Sequence, residues 1–151
     1  MLFRSDAPHD ARAYELYLRA NQLARTFDGL PRARDLYQHC LDLDPGFAPA
    51  WAHLGRCHRV IGKFIEAEPD SEALAEKALR RALELDPRLP VAHKFYANLE
   101  AEIGQAERAL VRLLGEANRR GNDAELFAGL DRKSTRLNSS HIQKSRMPSS
   151  A

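Results

Sequence analysis

Trp51-Ala52-His53-Leu54-Gly55, followed by Ala75, Leu79 and Ala82 and closed by Leu85-Asp86-Pro87, is the stretch whose reading decides the fold. Trp51, Leu54 and His58 are spaced i, i+3 and i+7, so they share one helix face, and Gly55 removes the side chain that would hold a neighbouring helix away. Ala75, Leu79 and Ala82 give a second helix a matching face. Asp86-Pro87 ends that second helix, because proline lacks an N–H and disfavours helix in the residue before it. The expectation is two antiparallel helices at close range. One such hairpin cannot bury both of its apolar faces and needs stacked copies.

Copies flank it. Leu41-Asp42-Leu43-Asp44-Pro45 and Leu83-Glu84-Leu85-Asp86-Pro87 close two successive units in nearly the same words. This pattern resembles the tetratricopeptide repeat (TPR), and the two prolines stand about eight residues farther apart than the ~34-residue TPR period. The excess is assigned to an extended loop over Ile65 to Glu72, a polar stretch containing Pro69. The resemblance implies an all-α fold, a TPR-like right-handed superhelix of antiparallel helix hairpins, with three repeats (about 11–45, 48–87 and 89–121) and a truncated fourth (122–130). Residues 1–10 read as a disordered lead-in.

In the first repeat, Leu16, Ala20, Leu23 and Phe27 form one stripe with Tyr14 and Tyr17 beside it, and Asp28-Gly29 is expected to end the helix. A second helix starts at Pro31 and turns Ala33, Leu36, Tyr37, Cys40 and Leu41 inward. Ala13 to Ala20 is similar to the opening repeat of TPR arrays in bacterial signalling proteins. In the third repeat, counting from Pro87 as from Pro45 sets His93 where Trp51 stood, Tyr96 at Leu54 and Ala97 at Gly55. Helices over about 90–103 and 105–119 carry stripes through Val91, Phe95, Leu99 and Ile103, and through Ala106, Leu110, Leu113 and Ala117. The family register instead selects Ala109, Leu113 and Glu116 on the last of these helices, with Glu116 departing from the pattern. Asn122 or Asp123 would cap a seventh helix beginning with Phe127 and Leu130, whose open end would favour self-association.

Residues 131–141 resemble a translated sequencing-library adapter, and residues 145–151 resemble its continuation. That segment is set aside from fold reasoning. It holds five of the 23 basic residues and one of the 21 acidic ones, so the overall charge of +2 becomes −2 for residues 1–130. A repeat region without basic excess argues against nucleic acid as a partner. There is no run of about 18 apolar residues and no charged-then-apolar leader, so neither a membrane span nor a secretory signal is expected, and the expected compartment is cytoplasmic. Cys40 and Cys57 fall within helices and read as reduced thiols.

No catalytic motif stands out: there is no phosphate loop, nucleophile elbow or His-Glu-x-x-His helix, and the chain is not expected to be an enzyme. His53 and Cys57 at i and i+4, with His58 and His39-Cys40 nearby, could in principle hold zinc, but packing accounts for them, and no metal or cofactor is expected. The TPR resemblance points elsewhere, to the concave face lined by the first helix of each repeat. Its second, fifth, ninth and twelfth positions fall on Tyr17 and Asn21, on Ala52, Arg56 and Arg59, and on Val91, Lys94 and Asn98. Arg and Lys beside Asn can hold carboxylates through charge-assisted hydrogen bonds, with Tyr17 as an apolar contact. Lys94 and Asn98 resemble part of the carboxylate clamp of chaperone-adaptor TPRs, but Ala128 and Gly129 stand where the clamp would continue. The expected function is a protein–protein interaction scaffold that binds a peptide, for example an acidic one, or a neighbouring domain in this groove. The alternative is a regulatory TPR segment of a larger bacterial signalling protein: a Ser/Thr kinase, a nucleotide cyclase or a winged-helix regulator.

Overall fold

The structure, a computed structural model, describes residues 10–119, which hold six helices and no strand. They are α1 (Ala11–Leu23), α2 (Leu30–Leu43), α3 (Ala48–Phe64), α4 (Ser71–Leu85), α5 (Pro90–Glu102) and α6 (Ala106–Arg119). The chain divides into two compact units, residues 1–112 and 113–151, with the boundary inside α6. The candidate seventh helix, with Phe127 and Leu130, and the tail from Asp131 lie outside the described residues.

Four of the described helices begin for a local reason. Asp10, grouped with the lead-in by the sequence, is the N-cap of α1: its carboxylate accepts the Arg12 N–H at 2.7 Å. Helices α2, α3 and α5 instead carry a proline in the first turn, where the missing N–H has no intrahelical partner to lose.

The end of the first helix departs from expectation. α1 stops at Leu23, and the chain crosses to α2 through a turn in which Gly29 N–H reaches Thr26 O at 3.2 Å and Thr26 Oγ1 at 3.3 Å. Gly29 does not cap α1; its backbone lies against the carbonyl of Leu23, where a Cβ would collide. Phe27, assigned to the buried stripe, is therefore carried into the turn and is 61% exposed.

The two Asp-Pro turns are built alike. In each, the aspartate N–H caps the preceding helix, Asp44 to Cys40 O at 2.9 Å and Asp86 to Ala82 O at 2.9 Å. In each, the aspartate carboxylate accepts the N–H two residues on, from Gly46 at 3.3 Å and from Arg88 at 3.2 Å. In each, a ring N–H six residues past the proline donates to the proline carbonyl: Trp51 Nε1 to Pro45 O and His93 Nε2 to Pro87 O, both at 2.8 Å. A carbonyl only accepts, so Nε2 of His93 carries the proton, and its Nδ1 receives Arg112 Nη1 at 3.3 Å. Two different rings thus do one job at equivalent positions of successive hairpins.

α3 and α4 approach most closely where α3 lacks side chains. A Cβ on Gly55 would stand 2.7 Å from Leu79 Cγ and 3.0 Å from the Ala75 carbonyl, and one on Gly62 would overlap Ser71. The pairs run in opposite senses along the two helices, so the hairpin is antiparallel. Its extra length is not all loop: α3 has 17 residues against 13 in α5, about one additional turn, and the connecting loop spans only 65–70. Ser71 and Glu72, assigned to the loop, already belong to α4.

The core has two parts. One joins α1, α2 and α3 through Ala20, Ala33, Tyr37, Leu41, Leu54, Cys57 and Ile61. The other joins α3, α4 and α5 through Ala52, Ala75, Leu79, Ala92, Tyr96 and Leu99, and Trp51 packs against both. Side chains this small let helix axes come close, which is why alanine dominates the contacts.

On α6 the two registers read from the sequence each account for part of the burial. Ala109 and Glu116 of one are buried, as is Ala117 of the other, whereas Leu110 is 53% exposed and Ala106 is also exposed. Within the second unit Glu116 is ion-paired with Arg119. In the first unit α6 is tied to α5 by Glu100, 2% exposed, which accepts from Arg112 Nε at 2.9 Å and Nη2 at 3.0 Å. The same guanidinium lies 4.1 Å above the Tyr96 ring. A buried carboxylate held in a bidentate fork is stable where an isolated one would not be. Gly104, at φ +84°, ends α5 and lets Gln105 N–H reach back to Glu100 O at 2.7 Å.

Candidate functional site

Three helices, α1, α3 and α5, are linked by a row of rings. Tyr17 of α1 meets His53 of α3 edge to face at 5.8 Å, and His53 meets Phe95 of α5 at 5.3 Å. Tyr37 stacks on His53 at 5.5 Å from behind. Packed among rings, His53 is held well below the ordinary histidine range, at about 4, first because burial penalises the imidazolium and second because Arg56 is near. It is a neutral ring in the floor of this face.

The candidate groove residues divide into three groups. Tyr17 and Asn21 come together but are already engaged: Asn21 Oδ1 accepts from Tyr37 Oη at 2.6 Å, and Tyr17 packs on Phe47 at 4.9 Å. Burial pushes the Tyr17 hydroxyl above its usual pKa, so it stays protonated. Arg56 is half-buried, donates to Ala24 O at 3.4 Å and has its guanidinium carbon 6.0 Å from the centre of the Phe95 ring. Lys94 is exposed and Asn98 half-buried, on the stripe of α5 that flanks Phe95.

Two of the candidate positions pack inward. Ala52 is fully buried against α4 and α5, and Val91 packs against that same core. The register points them inward because the helices approach closely there.

Arg59 is placed on the expected face, but it is not free. Its guanidinium is ion-paired with Glu102 of α5, and Lys63 Nζ lies 3.5 Å from the same carboxylate oxygen. Arg56, Arg59 and Lys63 (i, i+3, i+7) thus form a cationic stripe on α3, facing Phe95 and Glu102 (i, i+7) on α5. The two helices run in the same sense. Glu102, His53 and Phe95 were not assigned to this face by sequence; Glu102 carried a signal, lying four residues beyond Asn98 on one stripe.

No family model matches the chain, and no curated protein matches it.

The remaining chemistry-bearing groups are placed for packing. Cys40 and Cys57 are both fully buried, and burial pushes each thiol up to about 12, far from the thiolate that metals and electrophiles require. His39 is exposed, and among the described residues no group of three His, Cys, Asp or Glu side chains is arranged to hold a metal ion. No described helix is long and apolar enough to cross a membrane. A cleft of about 450 Å³ lies between Trp51 and the charged face of α4, where Lys77 stands beside two ion pairs, Arg80 with Glu76 at 3.2 Å and Arg81 with Glu84 at 3.1 Å. Matched i, i+3 and i, i+4 pairs are the ordinary furniture of a solvated helix face.

Proposed function

We propose that this chain is a protein–protein interaction module, a TPR-like stack of helical hairpins that offers its α1–α3–α5 face to an acidic peptide or to an acidic segment of a neighbouring domain. The observation that carries the reading is the repeated turn: Trp51 and His93 donate to the carbonyls of Pro45 and Pro87 with the same geometry. The repeated turn launches α3 and α5 in the same way, which supports reading corresponding positions on these two helices as parts of one strip. Tyr17, His53 and Phe95 supply an apolar floor, and Arg56, Lys94 and Asn98 supply donors beside it. A strip held on packed helices is organised before binding, which reduces the ordering cost of capturing an extended segment. Carboxylates are the matching chemistry, since Arg56 and Lys94 only donate and the Asn98 amide can donate as well.

The test is a titration of the chain with an acidic peptide selected against it from a random library. Arg56→Glu combined with Lys94→Glu is expected to weaken binding by roughly 50- to 100-fold, the effect of reversing two charges at a partly desolvated interface. Unchanged affinity would eliminate the groove.

A further inference from the structure

The pairing of Arg59 with Glu102 has a consequence for that groove. Arg59 is mostly covered, with 11% of its side chain exposed, while Glu102 is 26% exposed and is the last residue of α5. One oxygen of Glu102, Oε1, serves both Arg59 Nη1 and Lys63 Nζ. Arg59 Nε is buried and has no hydrogen-bond partner. Glu102 therefore holds Arg59 through Nη1 alone, unlike the side-on fork of Nε and Nη2 that Arg112 presents to Glu100 in the same molecule. A single-point pair of this kind is weaker than a bidentate one and is the easier of the two to displace. The carboxylate now present is tethered at a helix end, where Gly104 turns the chain away.

We infer that Glu102 is an internal competitor for the acid-binding end of the groove, occupying Arg59 and Lys63 until a carboxylate of the partner displaces it. The inference rests on the groove reading above and extends it. The partner then needs two acidic positions, one for half-buried Arg56 with exposed Lys94 and one for Arg59 and Lys63. The second is gated, so that only a segment already held by the first displaces Glu102.

The experiment measures fluorescein-labelled hexaglutamate binding to the full chain by fluorescence polarisation at 0.15 M salt. Glu102→Gln is expected to tighten binding about fivefold, the upper range for releasing a partly exposed ion pair. Glu107→Gln, which changes net charge equally on an exposed stretch of α6, is expected to leave binding unchanged. In an Arg59→Gln background the gain from Glu102→Gln should shrink, because only Lys63 is then left to release. Circular dichroism melts establish that each variant is folded; Glu102→Asp, which shortens the reach but keeps the charge, provides a second reading and should tighten binding to a smaller degree. If Glu102→Gln and Glu102→Asp bind as the parent chain does while Arg56→Glu plus Lys94→Glu weakens binding, Glu102 only ties α3 to α5 and the competitor inference is overturned, with the groove intact. If no form binds hexaglutamate, and the charge reversals also leave the selected acidic peptide unaffected, both readings fall. If hexaglutamate alone fails to bind in every form, the competitor inference falls by itself.

Discussion

Acidification should destabilise this chain through His53 in particular. The ring is enclosed by Tyr37, Tyr17 and Phe95, and its pKa of about 4 in the folded chain compares with 6.5 for a free histidine. Because the folded value is depressed, the unfolded chain binds the extra proton first as pH falls. The contribution of neutral His53 is complete above pH 6.5 and is lost progressively between 6.5 and 4. At pH 4.5 the unfolded form is almost wholly protonated at this site and the folded form mostly neutral, which amounts to a loss of about 2.5 kcal/mol relative to pH 8. Carboxylates also protonate over part of this range, so the informative quantity is a difference. Urea unfolding of the parent chain and of His53→Phe, followed by circular dichroism and by the emission of Trp51, the single tryptophan, should be compared at pH 7.5, 6 and 4.5. The phenylalanine keeps the ring contacts and removes the titration. The parent should lose about 2–3 kcal/mol more than His53→Phe between pH 7.5 and 4.5. Parallel stability profiles for the two proteins would refute the neutral-ring account of this face.

Other outcomes follow from the packing. Gly55→Ala should lower stability by about 1–2 kcal/mol in urea even though alanine is the better helix former, because the new methyl meets Leu79 and the Ala75 carbonyl. Arg112→Met should cost about 3–5 kcal/mol by stranding the buried Glu100 carboxylate, and Glu100→Met with Arg112→Met together should recover much of that loss. A double variant no more stable than the single one would show that the pair itself is a net source of stability. Cys40 and Cys57 should resist a thiol reagent at pH 8 until denaturant is added; prompt modification of the native chain would contradict their burial. Gly104→Ala should cost about 1 kcal/mol, read from the urea midpoint, because it forces a side chain to positive φ.

Local rules made much of this molecule legible from its residues. The Asp-Pro pairs end α2 and α4 because proline and an aspartate turn act within a few residues, and the helix starts at Pro31, Pro49 and Pro90 follow equally short-range logic. The equivalence of His93 with Trp51 could be counted from the prolines, since each ring reaches back only six residues. Gly55 as a point of close approach was readable for the same reason: its helical partners are set by periodicity.

What only the tertiary structure decided are the pairings across helices, which follow no fixed interval in the chain. Arg59 meets Glu102 across 43 residues and Arg56 meets the Ala24 carbonyl across 32, so neither the occupied nor the accessible cation could be sorted by spacing. Phe27 leaves the stripe because Gly29 must pass over the end of α1, and Ala52 leaves the groove because α4 and α5 close over it. Sequence periodicity orders residues around one helix axis. Which face another helix covers, and which charge another helix neutralises, is settled only when the axes are brought together.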